Sequence, residues 1–426
     1  MKAQEDAAPP PTQTENEMAV GERITLDDAI ERALARSPAL AQAQASLGNA
    51  QADDRVSLGG FFPSLNATAG SSVSSTSRFD PNTDRVVSGS ANSYNAGLSS
   101  TFTLFDGGRM FTERDRTRTG LEAATASLEN QYYQVRLATK QMFFAALEQD
   151  ELVDVARSRV DQAQQSLGLV RRRAELGVAT TSDSLRARLE WVNSQQALLQ
   201  AETTAKAARF GLGRQAGVPG PVVPVPPDNL DPTPLGLTRD EAVVEAQTAS
   251  PSVLSSFAAA AASNASVRSA KSAWLPTLRM NGSYNWANGD FSFADGQASW
   301  NVRFTASYPL FTGFSRESSI ARAQDQLRVS RMQAEDTQLA ARQQADAAFD
   351  ILRTSEEAIL IAHEAVAVAQ EDLRVVRERY RLGVATILDL VASQIQLDQA
   401  GTDLVTSRYN YLLARAQLEA ILGRES

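Results

Sequence analysis

The sequence predicts a mainly α-helical fold with a β-barrel portion, built from long coiled-coil hairpins and four β-strands in each chain. Three observations predict it. The chain contains an internal duplication. Each copy holds a proline-free segment of 69 residues rich in helix formers, and each copy also holds two segments of alternating polar and apolar residues. No compact domain accommodates a helix of about 100 Å, the length that 69 residues give at 1.5 Å per residue.

The composition points away from chemistry. Among 426 residues there are 41 basic and 50 acidic side chains, for a net charge of −9, with one His and no Cys. Without Cys there is no disulfide framework, thiolate nucleophile or cysteine-bound metal, and a lone His363 cannot form a multi-histidine site. The acidic balance argues against nucleic-acid binding. No nucleophile–base set and no phosphate-binding P-loop motif is visible, so we expect neither an enzyme nor a cofactor.

The chain opens with a Pro- and Glu-rich segment, and residues 1–23 are predicted to form a disordered arm. The segment has no hydrophobic core of a signal peptide, and no stretch approaches 18 consecutive apolar residues. We therefore expect either a cytoplasmic protein or one whose signal has been removed.

The two copies are repeat 1, residues 24–216, and repeat 2, residues 237–423, followed by a short tail at 424–426. Ile24–Ile30 returns as Leu237–Val243, and Leu176–Thr180 returns as Leu382–Thr386. The segment between the copies, 217–236, contains seven prolines and predicts a stiff extended linker.

Each repeat is predicted to run helix, strand, strand, very long helix, tight turn and long helix. The strands are expected at about 62–76 and 93–105 in repeat 1, and at about 276–287 and 298–311 in repeat 2, because apolar and polar residues alternate there. Segments of this length with aromatic residues near their ends are typical of membrane-spanning barrel strands. A half-buried sheet of a soluble protein would alternate too.

Four strands cannot close a barrel, and an open edge in hydrocarbon leaves unpaired backbone groups. The barrel must then be shared between chains. Two chains would supply eight strands and a lumen filled by side chains, whereas three would supply twelve and leave an opening.

The long helices carry a heptad pattern close to their turns. Val366, Leu373 and Tyr380 are seven residues apart in repeat 2, and Val160, Leu167 and Ala174 are seven apart in repeat 1. The pattern predicts antiparallel coiled-coil hairpins with turns, here called tips, at 177–182 and 383–388. A soluble coiled-coil scaffold or interaction protein with a small β-sheet would explain the helices equally well.

Taken together, these residues resemble the TolC-like outer-membrane factor family over Ile24–Gly423. The resemblance is carried by the strand entries at Pro63 and Pro276, the Leu-Phe-x-Gly junctions after the strands, the paired turns at 176–180 and 382–386, and the segments 380–389 and 407–411. Each motif is weak alone, but together they occur twice and in order.

The resemblance implies a homotrimer with a shared 12-stranded barrel in the outer membrane, a long periplasmic helical tunnel and an equatorial belt formed partly by the linker. It implies the exit channel of a tripartite efflux or type I secretion system. The expected partners are a periplasmic adaptor, an inner-membrane pump of the resistance-nodulation-division or ABC type, and outer-membrane lipid.

The resemblance also implies that the tips form the gate and the adaptor contact. Gly177 and Val178 match the first tip, and Gly383 and Val384 match the second. Arg173 belongs to the run Arg171–Arg173 just before the first tip. Such a run favours a solvated face, with adaptor or gate pairing as the alternative.

Both tips are followed by the spacing of a capping box, Thr180 with Asp183 and Thr386 with Asp389. By resemblance, Asp389 is the acid of the first pore ring, while Ala392 replaces the acid expected in the second ring, which predicts a less negative gate.

A contact between the tips is implied as well. Asp183 and Tyr380 match two members of the family's closing link, but Ala385 stands where its arginine is expected. The closing link is therefore expected to have fewer contacts than the family pattern, unless Arg186 or Arg381 substitutes for the missing arginine.

Overall fold

The computed structural model describes residues 21–80, 84–227, 232, 236–292 and 295–424. Residues 1–20 of the predicted arm, 228–231 and 233–235 of the linker, and 425–426 of the tail lie outside this range. The chain divides into two units. A helical unit consists of Met1–Gln44, Ser127–Leu254 and Asp336–Ser426, and a strand unit consists of Ala45–Ala126 and Ser255–Glu335.

Both repeats contain the same elements in the same order. Repeat 1 has helices α1 (Leu26–Arg36) and α2 (Pro38–Gly59), strands β2 (Ser64–Asp80) and β3 (Arg85–Phe105), and helices α3 (Arg109–Glu175) and α4 (Thr181–Gln215). Repeat 2 has α5 (Arg239–Ala249), α6 (Pro251–Lys271), β5 (Thr277–Asn288), β6 (Gln297–Ser307), α7 (Ser315–Leu382) and α8 (Ile387–Leu422). Two short strands, β1 (Glu22–Ile24) and β4 (Val222–Pro224), lie outside this order.

The single leading helix expected in each repeat is two helices. Pro38 and Pro251 begin the second helix of each pair, and Ser37 and Ser250 before them have extended backbone. Proline disfavours helical backbone in the residue before it but is well suited to the first helical position, so the chain bends at these serines.

The strand unit holds a four-stranded antiparallel sheet in the order β2-β3-β5-β6. The register pairs Ser64 with Thr101, Leu98 with Tyr284, and Thr277 with Ser307. Within the described sheet, β2 and β6 are the edges, and every residue of β6 is exposed in the single chain.

Strand lengths differ from the expected ones in two places. β2 and β3 form a ribbon that continues to the pair Asp80 and Arg85, beyond the segments in which apolar and polar residues alternate clearly. β6 ends at Ser307, four residues before the predicted end, and Pro309, which has no N–H to donate, follows two residues later.

The helical unit has its largest core where the two repeats meet. Phe143, Leu212 and Tyr409 are buried there together with Ile24 of β1 and Val222 of β4. The parallel pairing of β1 with β4 anchors the start of repeat 1 to the beginning of the linker, and the Arg36 guanidinium donates to the Gly217 carbonyl beside it.

The long helices form two hairpins, hairpin 1 (α3 and α4) and hairpin 2 (α7 and α8). Their heptad positions nearest the tips are buried, including Leu167, Val170, Leu373 and Val376. Among the described residues, no helix is both long enough and apolar enough to cross a membrane.

Candidate functional site: the paired helix tips

Each hairpin turns through a glycine with left-handed backbone. φ is +75° at Gly177 and +84° at Gly383. In tip 1 Val178 donates its N–H to the Arg173 carbonyl at 2.9 Å, and Gly177 donates to Ala174 at 3.0 Å. In tip 2 the equivalent bonds run from Val384 to Arg379 and from Gly383 to Tyr380. This pair of bonds is the Schellman motif, which satisfies the last carbonyls of a helix.

The returning helices begin with complete capping boxes. Thr180 donates its backbone N–H to Asp183 at 3.0 Å and accepts the Asp183 N–H on its hydroxyl at 3.2 Å. Thr386 and Asp389 make the same exchange at 2.8 Å and 3.2 Å. Four of the backbone groups left unpaired by the two turns are therefore satisfied locally.

The capping boxes also set the charge of the tips. The backbone N–H of Thr386, and then its hydroxyl, hold the pKa of the Asp389 carboxyl below its ordinary value, and Arg379 adds to this. The pKa of Asp183 is lowered in the same way, first by the backbone N–H of Thr180 and then by its hydroxyl. The nearby charges of Arg186 and Arg173 contribute less. Hydrogen bonds to the ionised form favour that form, so both carboxylates stay charged.

A shared apolar cluster lies directly behind the tips. It contains residues of all four long helices, including Val170 of α3, Ala187 of α4, Tyr380 of α7 and Leu390 of α8. Tyr380 is 3% exposed. This cluster is the main apolar contact that joins hairpin 1 to hairpin 2 near their tips.

Arg173 is the cation at this junction. Its Cζ lies 4.5 Å from the centroid of the Tyr380 ring, and its Nη2 lies 3.4 Å from the point where a Cβ on Gly383 would be. Stacking of a guanidinium on an aromatic face is attractive by about 0.5–2 kcal/mol, depending on desolvation. Arg173 thus extends from the end of α3 to the turn of hairpin 2.

One expectation about the closing link needs correction. Arg381 does not substitute for the missing arginine, since it pairs with Glu378 of its own helix at 2.8 Å. Arg171 and Arg172 are exposed, as expected for a solvated face, whereas Arg173 is half-buried against Tyr380 and so fits the alternative of pairing at the tips. The arginine at this junction therefore comes from hairpin 1, not from the position after the tip 2 glycine.

The Tyr380 hydroxyl does not complete a link to Asp183. It is buried and has no hydrogen-bond partner among the described residues. Burial raises the pKa of this phenol and Asp183 adds to the shift. The nearby Arg173 guanidinium opposes it through its charge and as a donor close to the hydroxyl, although the contact falls short of hydrogen-bond geometry. Tyr380 therefore joins the hairpins through its ring.

The outer surface of the tips is apolar. Leu176 and Val178 in tip 1, and Leu382 and Val384 in tip 2, are all more than 60% exposed. Asp389 is also exposed, and Ala392 lies on the exposed side of α8 three residues later. Each tip therefore presents two aliphatic side chains beside a charged capping aspartate.

Sequence reasoning missed the polar contacts between the hairpins above the tips. Gln394 of α8 is buried and donates to Ser166 of α3 at 2.6 Å, and Arg159 of α3 pairs with Asp398 of α8 at 2.8 Å. Gln394 continues the buried series Ile387, Leu390, so a polar residue at a core heptad position was the available signal.

The tip glycines permit a matched comparison. Alanine at either position should cost about 1–2 kcal/mol, because a Cβ is disfavoured in left-handed backbone. Gly177→Ala meets no atom within 4 Å, whereas Gly383→Ala meets Arg173, so the second change should cost at least as much as the first.

Amide hydrogen exchange of the tip peptides, followed by mass spectrometry, measures this cost as a lower free energy of local opening. Unchanged protection in both variants would contradict the assigned backbone geometry.

In the described parts of the chain, no group of three or more His, Cys, Asp and Glu side chains is placed to hold a metal ion.

Comparison with known proteins places this geometry in a family. The family model described as "Outer membrane efflux protein" matches residues 29–218 and 242–424. The chain is 27% identical to Protein CyaE of Bordetella pertussis over 93% of this chain and 81% of that protein. It is 24% identical to the toluene efflux pump outer membrane protein TtgC of Pseudomonas putida, over 93% and 82%.

A solved structure shares the fold. The outer membrane protein VceC of Vibrio cholerae superimposes with a TM-score of 0.79 at 18% identity, covering 94% of this chain and 96% of that one. The likeness confirms the predicted fold class of long helical hairpins with a barrel portion.

The fold and the family match define an outer-membrane channel for efflux or secretion, with a periplasmic extension. The chain belongs to the outer membrane efflux protein family, which is a family of channels.

Proposed function

We propose that three copies of this chain form one exit duct, gated by the ring of six helix tips and opened by a periplasmic adaptor and an inner-membrane pump. The pump is of the resistance-nodulation-division or ABC type. The observation that carries the proposal is the junction of the two tips, where Arg173 and Tyr380 join hairpins whose outer ends are apolar and exposed.

Exposed apolar stripes support assembly from several copies. On α7 the exposed apolar residues are seven apart, and on α4 they are four, three and seven apart. The stripe on α7 consists of Ile361, Val368, Val375 and Leu382, and the stripe on α4 consists of Leu185, Leu189, Val192 and Leu199. Heptad spacing is the pattern of a helix that packs against another helix. A neighbouring copy that places α4 against α7 would cover both stripes.

The sheet edges support the number three. β2 and β6 each have one unpaired edge within the described sheet, so neighbouring copies can pair β6 with β2. Three copies give twelve strands, enough to leave an opening, whereas eight strands enclose only side chains.

The exposed aliphatic side chains of the tips support an adaptor contact. Leu176, Val178, Leu382 and Val384 lie beside turns that are fixed by hydrogen bonds, which gives a partner a rigid apolar surface. Arrangement of both tips in one ring would bring six such surfaces together.

Asp389 tests the proposed aperture. Three Asp389 carboxylates around a narrow opening would attract cations, so Asp389→Ala should weaken cation selectivity. The measurement is the reversal potential in a planar bilayer under a salt gradient. Glu364→Gln removes one charge per chain from an exposed position on α7 and is the control. Equal selectivity in wild type and Asp389→Ala would refute this position for Asp389.

The pH dependence of the cation selectivity gives a second test of Asp389. The pKa of Asp389 is lowered in the folded protein, so its charge persists as the pH falls through the ordinary aspartate range and is lost only below it. The stability that the capping box contributes is likewise present above the ordinary pKa and lost as the pH falls through the lowered one. Cation selectivity should therefore survive mild acid.

A further inference from the structure

An ion triad joins three of the long helices above the tips. Arg159 of α3 donates to Glu190 of α4 at 2.9 Å and to Asp398 of α8 at 2.8 Å. The three side chains are only 14–26% exposed. The first bond lies within hairpin 1, whereas the second crosses to hairpin 2.

The triad holds two carboxylates and one cation. Burial raises the pKa of Asp398, the Arg159 charge and hydrogen bond oppose this shift, and the nearby charge of Glu190 adds to it. The two acids thus act on each other across the hairpins. Like charges at partly buried positions repel strongly unless a cation lies between them.

The triad borders a cavity whose described lining carries no charge other than those of Arg159 and Asp398. The cavity is open, with a volume of about 210 Å³, and its lining from α3 and α7 is neutral apart from Arg159, with Ser158, Gln162, Val366 and Gln370. The backbone carbonyl of Gln162 accepts a hydrogen bond from the Gln394 side chain at 3.3 Å. Arg159 is therefore a positive charge that the two carboxylates share.

We propose that Arg159 is a positioning residue of the gate, which allows Glu190 of hairpin 1 and Asp398 of hairpin 2 to face each other and so keeps the hairpins packed. This inference rests on the proposed function, in which the packed hairpins are the closed state. It adds a second point of control above the junction of Arg173 and Tyr380.

Removal of the cation should favour opening. In Arg159→Gln the two carboxylates remain without a shared cation, and their repulsion separates α4 from α8. We expect about a tenfold larger ratio of open to closed states, a size usual for coupling between two sites. The readout is the mean single-channel conductance of the detergent-purified full chain in planar bilayers at neutral pH.

A matched control exists two residues earlier on the same helix. Arg157 pairs with Asp154 and Glu202, both of hairpin 1. Arg157→Gln removes the same charge from α3 but breaks no contact between the hairpins. Its conductance should equal that of wild type, and an increase as large as in Arg159→Gln would overturn the proposal.

Two further measurements separate repulsion from damage to the fold. The triple variant Arg159→Gln, Glu190→Gln, Asp398→Asn has no charges to repel, so its conductance should return to the wild-type level. Acid should close the Arg159→Gln channel as well, because burial raises the pKa of Asp398, and protonation of that carboxyl removes its repulsion of Glu190. A triple variant that stays as open as Arg159→Gln, or no effect of Arg159→Gln, would overturn the proposal.

The same measurements distinguish failure of the proposed tip gate from failure of the triad proposal. If Tyr380→Ala at the tips opens the channel and Arg159→Gln does not, the triad proposal fails alone. If neither variant changes the conductance, the gate proposal fails and the triad proposal fails with it.

Discussion

The double substitution Val368→Asp, Val375→Asp should abolish the assembled channel. Both valines belong to the exposed stripe of α7, and covering their exposed parts, 59% of Val368 and 39% of Val375, by a neighbouring copy would contribute about 1 kcal/mol each. Aspartate removes this gain and would place an unpaired charge in the contact, at a further cost of several kcal/mol. The loss occurs at every contact between copies.

Light scattering during size-exclusion chromatography in detergent measures the outcome. Wild type should have three times the protomer mass of 45.9 kDa, and the double variant should have the mass of one protomer. Ala367→Asp is the control, since Ala367 is exposed about a quarter of a turn away from the stripe, on the face of α7 that carries Glu371 and Arg374. A double variant that retains the wild-type mass would contradict the assignment of this stripe to the subunit contact.

Truncation of Tyr380 should open the tips. Tyr380→Ala removes a nearly fully buried ring from the cluster that joins the hairpins, and it also removes the surface on which Arg173 stacks. Substitution of a buried aromatic residue by alanine typically costs about 3–5 kcal/mol. If the packed hairpins are the closed state, most of this cost falls on closure, and the mean conductance should rise strongly.

Tyr380→Phe is the control for this variant, because it removes the hydroxyl and keeps the ring. The hydroxyl has no hydrogen-bond partner among the described residues, so its removal should leave closure unchanged or slightly favoured. Equal opening in Tyr380→Phe and Tyr380→Ala would show that the hydroxyl, rather than the ring, holds the tips, contrary to the geometry described above.

Local features of the tips could be predicted from the sequence because their partners are close in the chain. Thr386 and Asp389 are three residues apart, and Gly383 sits where a left-handed turn requires glycine. The duplication and the proline-free segments predicted the order of the elements. Leu373 and Tyr380 were predicted to share a seam because heptad spacing is itself a sequence property.

Contacts between the hairpins could not be predicted in this way. Arg173 and Tyr380 are separated by more than 200 residues, and nothing in the run Arg171–Arg173 indicates which of its members turns inward. The pairing of Arg159 with Asp398 depends on the axial register of α3 against α8, which the heptad pattern leaves open by whole turns. The resemblance indicated a link at the tips, but the substitutes that it suggested for the missing arginine, Arg186 and Arg381, do not include Arg173, which the structure places against Tyr380.

Conductance of the purified protein in planar bilayers shows directly whether packed helix tips close a trimeric duct. A trimeric duct closed by packed helix tips should give a small, cation-selective wild-type conductance that rises in Tyr380→Ala and not in Tyr380→Phe. A wild-type channel that is already wide open and unaffected by Tyr380→Ala, or no conductance from either protein, would contradict the account.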